Sequence, residues 1–237
     1  MRVRGKKISE VGVVERDGKP IISAKQVKTA IRCEQAYYYE YVLKKKVEKS
    51  EAMQVGLETH EAVQKNLEDK EVPIKERLSR SPAFRAVYTL LPKDEEPVVE
   101  KKMFFDVSGD YYRVIIPDIL YSNAIYDLKT TRSVSASKGV YSDDVIQLHY
   151  YWETLGGNRD LYVIKLLLPN GESLLPSYQA SLFKINISPA IISEIHRAEG
   201  RVMEILSGSS PRPNPGRRCR FCFFKSICPY AYTEEGE

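Results

Sequence analysis

An acidic and a basic residue stand two positions apart in a segment with the composition of a β-strand, AIYDLKTT at residues 124–131. Side chains alternate between the two faces of a strand, so Asp127 and Lys129 are predicted to project from the same face. An exposed salt bridge is one interpretation, because such surface pairs are common and contribute little to stability. The alternative is that the carboxylate and the ammonium group act together on a ligand.

A second carboxylate precedes this strand. Asp118 follows Pro117 in the segment YYRVIIPDILYS, and the turn residues Ser122 and Asn123 separate it from the next segment. If the two strands pair through this turn, Asp118 comes close to Asp127, and two carboxylates about 4 Å apart repel by roughly 4 kcal/mol at an effective dielectric constant near 20. Mg²⁺ or Mn²⁺ would offset that repulsion, because both ions prefer oxygen ligands.

Four cysteines indicate a second kind of site. Three lie near the C-terminus in the pattern Cys219-x2-Cys222-x5-Cys228, and Cys33 lies near the other end of the chain. Four thiolates can hold zinc or an iron–sulfur cluster, and the spacing alone leaves both open. Aromatic residues surround the cysteines in CRFCFFKSICPYAY and at residues 37–39. An apolar, water-excluding shell of this kind favours an iron–sulfur cluster.

The elements that position these residues follow from hydrophobic periodicity. Helices are predicted over residues 23–42 (with Ser23 as N-cap), 51–69, 143–155 and 189–206. Strands are predicted over residues 98–107, 111–122 and 124–131 as a β-meander, and over residues 160–169. Helices and strands in this order predict a mixed α/β domain.

Composition limits the class of protein. The chain has 237 residues, of which 43% are hydrophobic, and this predicts one domain with a buried core. The net charge of +4 permits an anionic partner such as nucleic acid without requiring one. Residues 207–217, SGSSPRPNPGR, have the composition of a linker. No signal-peptide pattern or membrane-spanning apolar run is present, so a cytoplasmic location without membrane contact is the default expectation.

The acid and lysine pattern resembles the core of the PD-(D/E)XK nuclease superfamily. Pro117-Asp118 and Asp127-Leu128-Lys129 match its motif letter for letter. Two positions depart from the usual pattern: residue 115 is isoleucine where the family commonly has glycine, and Asp127 stands where glutamate is frequent.

Three further residues are similar to the RecB-like branch of that superfamily. Gln147 and Tyr151 lie on one face of the predicted helix and match its Q-x-x-x-Y motif, and His60 matches its upstream histidine. One cysteine ahead of these motifs and three behind them resemble the arrangement in RecB-like iron–sulfur nucleases, and in particular in the CRISPR-associated exonuclease family known as Cas-four. The resemblance covers nearly the whole chain.

The resemblance implies a PD-(D/E)XK core in which a mixed central sheet is flanked by helices. Residues 50–206 would form the nuclease core of a single domain, and residues 23–42 together with 207–237 a discontinuous iron–sulfur region. It implies hydrolysis of DNA, commonly of single strands from the 5′ end, in processing DNA for insertion into a CRISPR array alongside the integrase proteins. The implied cofactors are an iron–sulfur cluster, with 4Fe–4S favoured and 2Fe–2S as the alternative, and Mg²⁺ or Mn²⁺.

The resemblance also implies a role for each residue. The divalent cation would be held by His60, Asp118, Asp127 and the Leu128 carbonyl group. Lys129 would orient the attacking water and stabilise the transition state, while Gln147 and Tyr151 would position the DNA strand or that water. The cluster would be held by Cys33, Cys219, Cys222 and Cys228. Glu100 is a candidate for an additional, supporting carboxylate.

Two other functions stay open at this stage. A RecB-like nuclease of general repair or recombination would carry the same motifs. A non-catalytic DNA-binding module stapled by zinc would explain the cysteines and basic residues, but it leaves Asp118, Asp127 and Lys129 without a purpose. The candidates for phosphate contacts fit a solvated surface equally well; they are Lys44, Lys45, Lys46, Arg132, Lys138, Arg217 and Arg218.

Overall fold

The computed structural model describes residues 15–46, 51–169 and 177–232. Its strands are β1 (Glu15–Arg16), β2 (Lys19–Ser23), β3 (Val98–Val99), β4 (Met103–Val107), β5 (Tyr111–Ile115), β6 (Ile119–Leu120), β7 (Ala124–Thr131), β8 (Asp160–Leu167) and β9 (Gln179–Ile185). Its α-helices are α1 (Ala24–Arg32), α2 (Glu34–Tyr37), α3 (Glu51–Glu68), α4 (Ile74–Arg80), α5 (Pro82–Tyr88), α6 (Ser142–Thr154) and α7 (Pro189–Leu206).

The described residues divide into two compact units. The first unit comprises residues up to 48, residues 104–114 and residues from 189 onward, and the second comprises residues 49–103 and 115–188. Each unit is built around one sheet. The predicted nuclease core of residues 50–206 overlaps the second unit at residues 50–103 and 115–188, whereas residues 104–114 and 189–206 belong to the first unit. The single domain stays a prediction.

The first unit contains a four-stranded sheet in the order β1-β2-β5-β4, in which β2 and β5 run parallel. Helices α1 and α7 pack against each other in this unit. Inside it, Arg113 and Glu199 form a bidentate ion pair with N–O distances of 2.7 and 2.6 Å, and both residues are buried. The predicted linker is pinned here as well, because the backbone N–H of Arg212 donates to Glu34 at 2.8 Å.

The predicted helix over residues 23–42 is wrong at its centre. Ser23 is the N-cap as predicted: its hydroxyl accepts from the Gln26 N–H, while the Gln26 side chain accepts from the Ser23 N–H. At Cys33 the backbone becomes extended (φ −169°, ψ 115°), which ends α1. The chain then continues as α2 and as a π-helix over Tyr38–Val42. The cysteine therefore stands between helices instead of inside one.

The second unit contains a five-stranded sheet in the order β3-β6-β7-β8-β9, with β7 and β8 parallel and the other pairs antiparallel. Its two central strands, β7 and β8, are largely buried on both faces, as is usual for parallel strands. Ile125 and Leu128 of β7 and Ile164 of β8 are at most 1% exposed. Burying each such side chain contributes about 1.5–3 kcal/mol, and this makes the central strands a rigid support for the polar residues they carry.

The predicted β-meander is also divided. Strands β4 and β5 belong to the four-stranded sheet, whereas β6 and β7 belong to the five-stranded sheet. The interruption falls at residues 116–118, where Pro117 has no N–H to donate to a strand partner. Strand β9 was not predicted. None of the helices in the described ranges is both long and apolar enough to span a membrane.

Candidate active site

The hairpin of β6 and β7 brings the two predicted carboxylates together. Ile119 pairs with Tyr126 and Leu120 with Ile125, so Asp118 and Asp127 are the next residues in register. The Asp118 carboxylate accepts a hydrogen bond from the Leu128 backbone N–H at 2.7 Å. The predicted pairing of the two strands through the Ser122-Asn123 turn is thus confirmed.

The two carboxylate oxygens of Asp127 differ in their hydrogen bonds. Its side chain is only 1% exposed, and Oδ1 accepts from Lys129 Nζ at 2.7 Å and from Gln147 Nε2 at 2.8 Å. Oδ2 is buried and, among the residues that the structure describes, has no hydrogen-bond partner. An unsatisfied buried polar atom is costly and calls for an explanation. A divalent cation at Oδ2 would supply the missing partner, so the donor set fits Mg²⁺ or Mn²⁺.

The charges of the site support the same chemistry. Burial and the neighbouring charge of Asp127 raise the pKa of Asp118 to about 7. Burial alone would lower the pKa of Lys129, but the charges of Asp127 and Asp118 outweigh it and raise that pKa, so the lysine stays an ammonium. Two close carboxylates beside one ammonium form a site of net negative charge that favours a cation.

Helix α6 contributes the predicted glutamine and tyrosine. Gln147 and Tyr151 lie one turn apart, and Gln147 Nε2 donates to the Tyr151 hydroxyl at 3.3 Å as well as to Asp127. The Tyr151 hydroxyl donates to the Ile116 carbonyl at 3.2 Å. Tyr151 therefore links α6 to the segment just ahead of Asp118, a contact that sequence reasoning missed because backbone acceptors leave no signature in the sequence.

Helix α3 carries His60 toward the same strand. Burial and the positive charge of Lys129 lower the pKa of His60 to about 4, so its imidazole is neutral at neutral pH and keeps a free lone pair for a ligand. In the described ranges, no three His, Cys, Asp or Glu side chains lie together closely enough to hold a metal ion. The ligand set of His60, Asp118, Asp127 and the Leu128 carbonyl group therefore stays a prediction.

Gly56 explains how α3 approaches β7 so closely. A Cβ atom at Gly56 would lie 2.9 Å from the Oγ1 atom of Thr130, the residue after Lys129. Gly56 precedes His60 by four residues and so lies on the same helix face. A glycine inside a helical pattern was the available sequence signal for such a close approach.

The Gly56→Ala variant is expected to lose stability and to displace His60 from the site. Alanine favours a helix by about 1 kcal/mol over glycine, but overpacking of this kind costs about 1–3 kcal/mol. Gly200→Ala in α7 is the control, since a Cβ there meets nothing within 4 Å and should stabilise the protein. Urea unfolding of both variants measures the difference, and equal stabilisation would exclude the clash. Adding Thr130→Ala to Gly56→Ala should restore stability.

The four cysteines belong to the same unit and are not in disulfides. Burial, and then the charges of Cys33, Cys219 and Cys228, raise the pKa of Cys222, so the other three thiols lie within electrostatic reach of it. Tyr39 of the π-helix donates to the Ile227 carbonyl at 3.5 Å and packs against Phe224, with 5.6 Å between ring centres. In the part of the chain that the structure describes, no three cysteine, histidine or acidic side chains lie closely enough together to hold a metal ion, so a cluster or zinc ion held by the four cysteines stays a prediction.

The predicted water-excluding aromatic shell is wrong for half of its residues, whereas Tyr37 is buried and Tyr38 and Tyr39 are partly buried. Phe224 is buried, but four other aromatic residues of the segment are exposed: Phe221 (84%), Phe223 (62%), Tyr230 (52%) and Tyr232 (44%). The seven candidate phosphate-binding residues are exposed too. Both interpretations of these residues, contact with DNA phosphates and a solvated charged surface, require that exposure. Residues 233–237, the end of the predicted iron–sulfur region, lie outside the described residues.

Solved structures share this fold. The chain is similar to the crystal structure of SSO0001, with a TM-score of 0.55, 18% sequence identity and coverage of 96% of this chain and 94% of that one. It is also similar to a putative exonuclease from Eubacterium rectale, with a TM-score of 0.52, 14% identity and coverage of 90% and 91%. No protein-family model matches the chain, and no curated protein matches it.

At these identities the similarity establishes the fold alone. The predicted mixed α/β fold, with mixed sheets flanked by helices as in a nuclease-like structural neighbour, is confirmed. The roles of the site residues are not settled by this similarity.

Proposed function

We propose that the protein is a metal-dependent DNA exonuclease whose centre is the pair Asp118 and Asp127. The observation that supports this most strongly is the buried, unpartnered Oδ2 of Asp127 beside a second carboxylate. A hard divalent cation held there would lower the pKa of a bound water and neutralise charge on the scissile phosphate. The similar fold of a protein described as a putative exonuclease agrees with this proposal.

The residues of the chain would divide the remaining work. Lys129 holds Asp127 Oδ1 at 2.7 Å and places an ammonium where negative charge develops on the phosphate. Gln147 donates to the same carboxylate oxygen, and Tyr151, which accepts from Gln147 and donates to the Ile116 carbonyl, ties α6 to the segment ahead of Asp118. His60, neutral at neutral pH, would complete the ligands with the Leu128 carbonyl group. Each of these side chains orients the site before substrate arrives, which is how preorganised electrostatics lowers a barrier.

The proposed substrate is single-stranded DNA, degraded from its 5′ end. The test uses oligonucleotides with a label at either end and Mn²⁺ in the buffer. A 5′ label should appear first in short products, and a bulky block on the 5′ end should stop the reaction. The proposal fails if no product depends on Mn²⁺. Products that shorten from the 3′ end would overturn the proposed 5′ polarity of digestion but not the proposed nuclease activity.

The proposal extends to an iron–sulfur cluster held by Cys33, Cys219, Cys222 and Cys228, and to a cytoplasmic role in CRISPR adaptation alongside the integrase proteins. Support comes from the other three thiols lying within electrostatic reach of Cys222 and from the sequence resemblance. Glu34, next to Cys33, accepts from the Arg212 N–H, so the chain ahead of the three C-terminal cysteines is fastened beside the fourth.

The Cys222→Ala variant is expected to lose iron and sulfide and to melt about 4–16 °C lower than the wild type. A cross-link that closes most of the chain contributes about 2–4 kcal/mol, and each kcal/mol shifts the Tm of a chain this long by about 2–4 °C. Metal analysis after purification without air, with thermal melting, measures both effects. Ser226→Ala in the same segment is the control. Zinc in place of iron in the wild-type protein would contradict the iron–sulfur cluster. An unchanged Tm of Cys222→Ala would contradict the stabilising cross-link between Cys33 and the C-terminal cysteines.

A further inference from the structure

A third carboxylate stands in register with the two of the proposed centre. Val99 of β3 pairs with Ile119 of β6, so Glu100 and Asp118 are the next residues on the two strands. The β6–β7 register then continues from Asp118 to Asp127. Three acids on neighbouring strands thus come to the same end of the sheet.

Glu100 is held in place from helix α3. Gln64 is 5% exposed, and its Nε2 donates to Glu100 Oε1 at 2.5 Å. Gln64 follows His60 by four residues, so one helix face presents both side chains. The backbone of Glu100 has φ +44°, a conformation that residues other than glycine seldom adopt. Such strain persists where the surroundings determine the geometry, and it is common at functional sites.

The electrostatics agree with this placement. The strand register places Glu100 next to Asp118, and the charge of Glu100 is the weakest of the influences on the pKa of Asp118, after burial and the charge of Asp127. With all three carboxylates ionised, as cation binding would favour, they and the Lys129 ammonium carry two net negative charges, which one divalent cation neutralises. The buried Asp127 Oδ2 without a partner among the described residues points to where that cation would bind.

We infer that Glu100, held by Gln64, is a further residue of the cation site and strengthens divalent-cation binding through its charge. This rests on the proposed function, because it needs a cation at Asp118 and Asp127. The inference assigns Glu100 an effect of its charge on the cation and no direct bond to it; in the described ranges no three acidic, histidine or cysteine side chains lie closely enough together to hold a metal ion. Its role is to hold the cation, which in turn positions the reacting groups.

The test is Mn²⁺ binding by isothermal titration to the Glu100→Gln variant, without DNA. Glutamine keeps an oxygen that accepts from Gln64, so the substitution removes the charge and little else. We expect the Kd for Mn²⁺ to rise about tenfold, as for other groups that support a metal site from outside its ligands. Glu100→Asp retains the charge and should bind Mn²⁺ more tightly than Glu100→Gln.

Glu96→Gln is the matched control, because Glu96 is an exposed glutamate of the same unit that pairs with Lys70. It should bind Mn²⁺ as the wild type does. A wild-type Kd in Glu100→Gln, or an equal rise in Glu96→Gln, would overturn the inference. Asp127→Asn separates a failure of the proposed function from a failure of this inference. If the wild type binds no Mn²⁺, the proposed function fails. If Asp127→Asn abolishes Mn²⁺ binding and Glu100→Gln leaves it unchanged, only the role of Glu100 fails.

Discussion

The Asp127→Asn variant is expected to lose DNA cleavage by about 10²-fold or more while staying folded. Asparagine keeps the shape of the side chain and an oxygen that can accept from Lys129 and Gln147, so the packing around β7 survives. It removes the buried negative charge on which cation binding depends. Initial rates on end-labelled single-stranded DNA with saturating Mn²⁺ measure the effect, and thermal melting verifies the fold.

Asp94→Asn is the control for this prediction, since Asp94 is an exposed aspartate of the same unit. Its cleavage rate should equal that of the wild type. Lys129→Met is expected to reduce the rate by a similar factor, because it removes the ammonium from the developing charge. A cleavage rate near that of the wild type in Asp127→Asn or Lys129→Met would show that the substituted residue does not have the catalytic role that we propose.

The Glu199→Ala variant is expected to lower the free energy of unfolding by about 3–5 kcal/mol. Arg113 and Glu199 form their bidentate pair with side chains only 8% and 3% exposed. Without Glu199, the buried Arg113 guanidinium loses its bidentate carboxylate partner, and this penalty exceeds the value of the pair itself. The midpoint of urea unfolding, with the slope of the transition, measures the loss.

Glu204→Ala, on the same helix, is the control. Glu204 also pairs with an arginine, Arg201, but its side chain is 55% exposed. Exposed pairs contribute at most about 1 kcal/mol, so this variant should unfold close to the wild type. If Glu199→Ala and Glu204→Ala lower the free energy of unfolding equally, burial of the ion pair is not the cause of the loss. Replacing Arg113 and Glu199 together by apolar residues should cost less than Glu199→Ala alone, since no buried charge is then left unpaired.

Much of the candidate site follows from local sequence. Strand alternation places Asp127 and Lys129 on one face, and the contact of 2.7 Å between them agrees. The short turn at Ser122-Asn123 restricts the register of the hairpin, and this is why Asp118 could be predicted next to Asp127. Helical spacing likewise predicted that Gln147 and Tyr151 share a face. These predictions succeed because each depends on residues that are close in the chain.

The features that could not be predicted depend on distant partners. Strand β2 joins β5 in parallel, and pairings of this kind leave no local signal, so the division of the β-meander between two sheets was missed. The helix ends at Cys33 although its pattern continues, because the break is decided by tertiary context. The exposure of Phe221 and Phe223 contradicts their apolar character, since composition alone does not show which face of a short segment is covered.

Anomalous scattering from crystals of the protein soaked in Mn²⁺ tests the central claim most directly. We predict one peak that lies about 2 Å from an oxygen of Asp118 and from Oδ2 of Asp127, and that disappears in crystals of Asp127→Asn. A peak elsewhere in the molecule, or the absence of a peak between these two carboxylates at saturating Mn²⁺, would contradict the account.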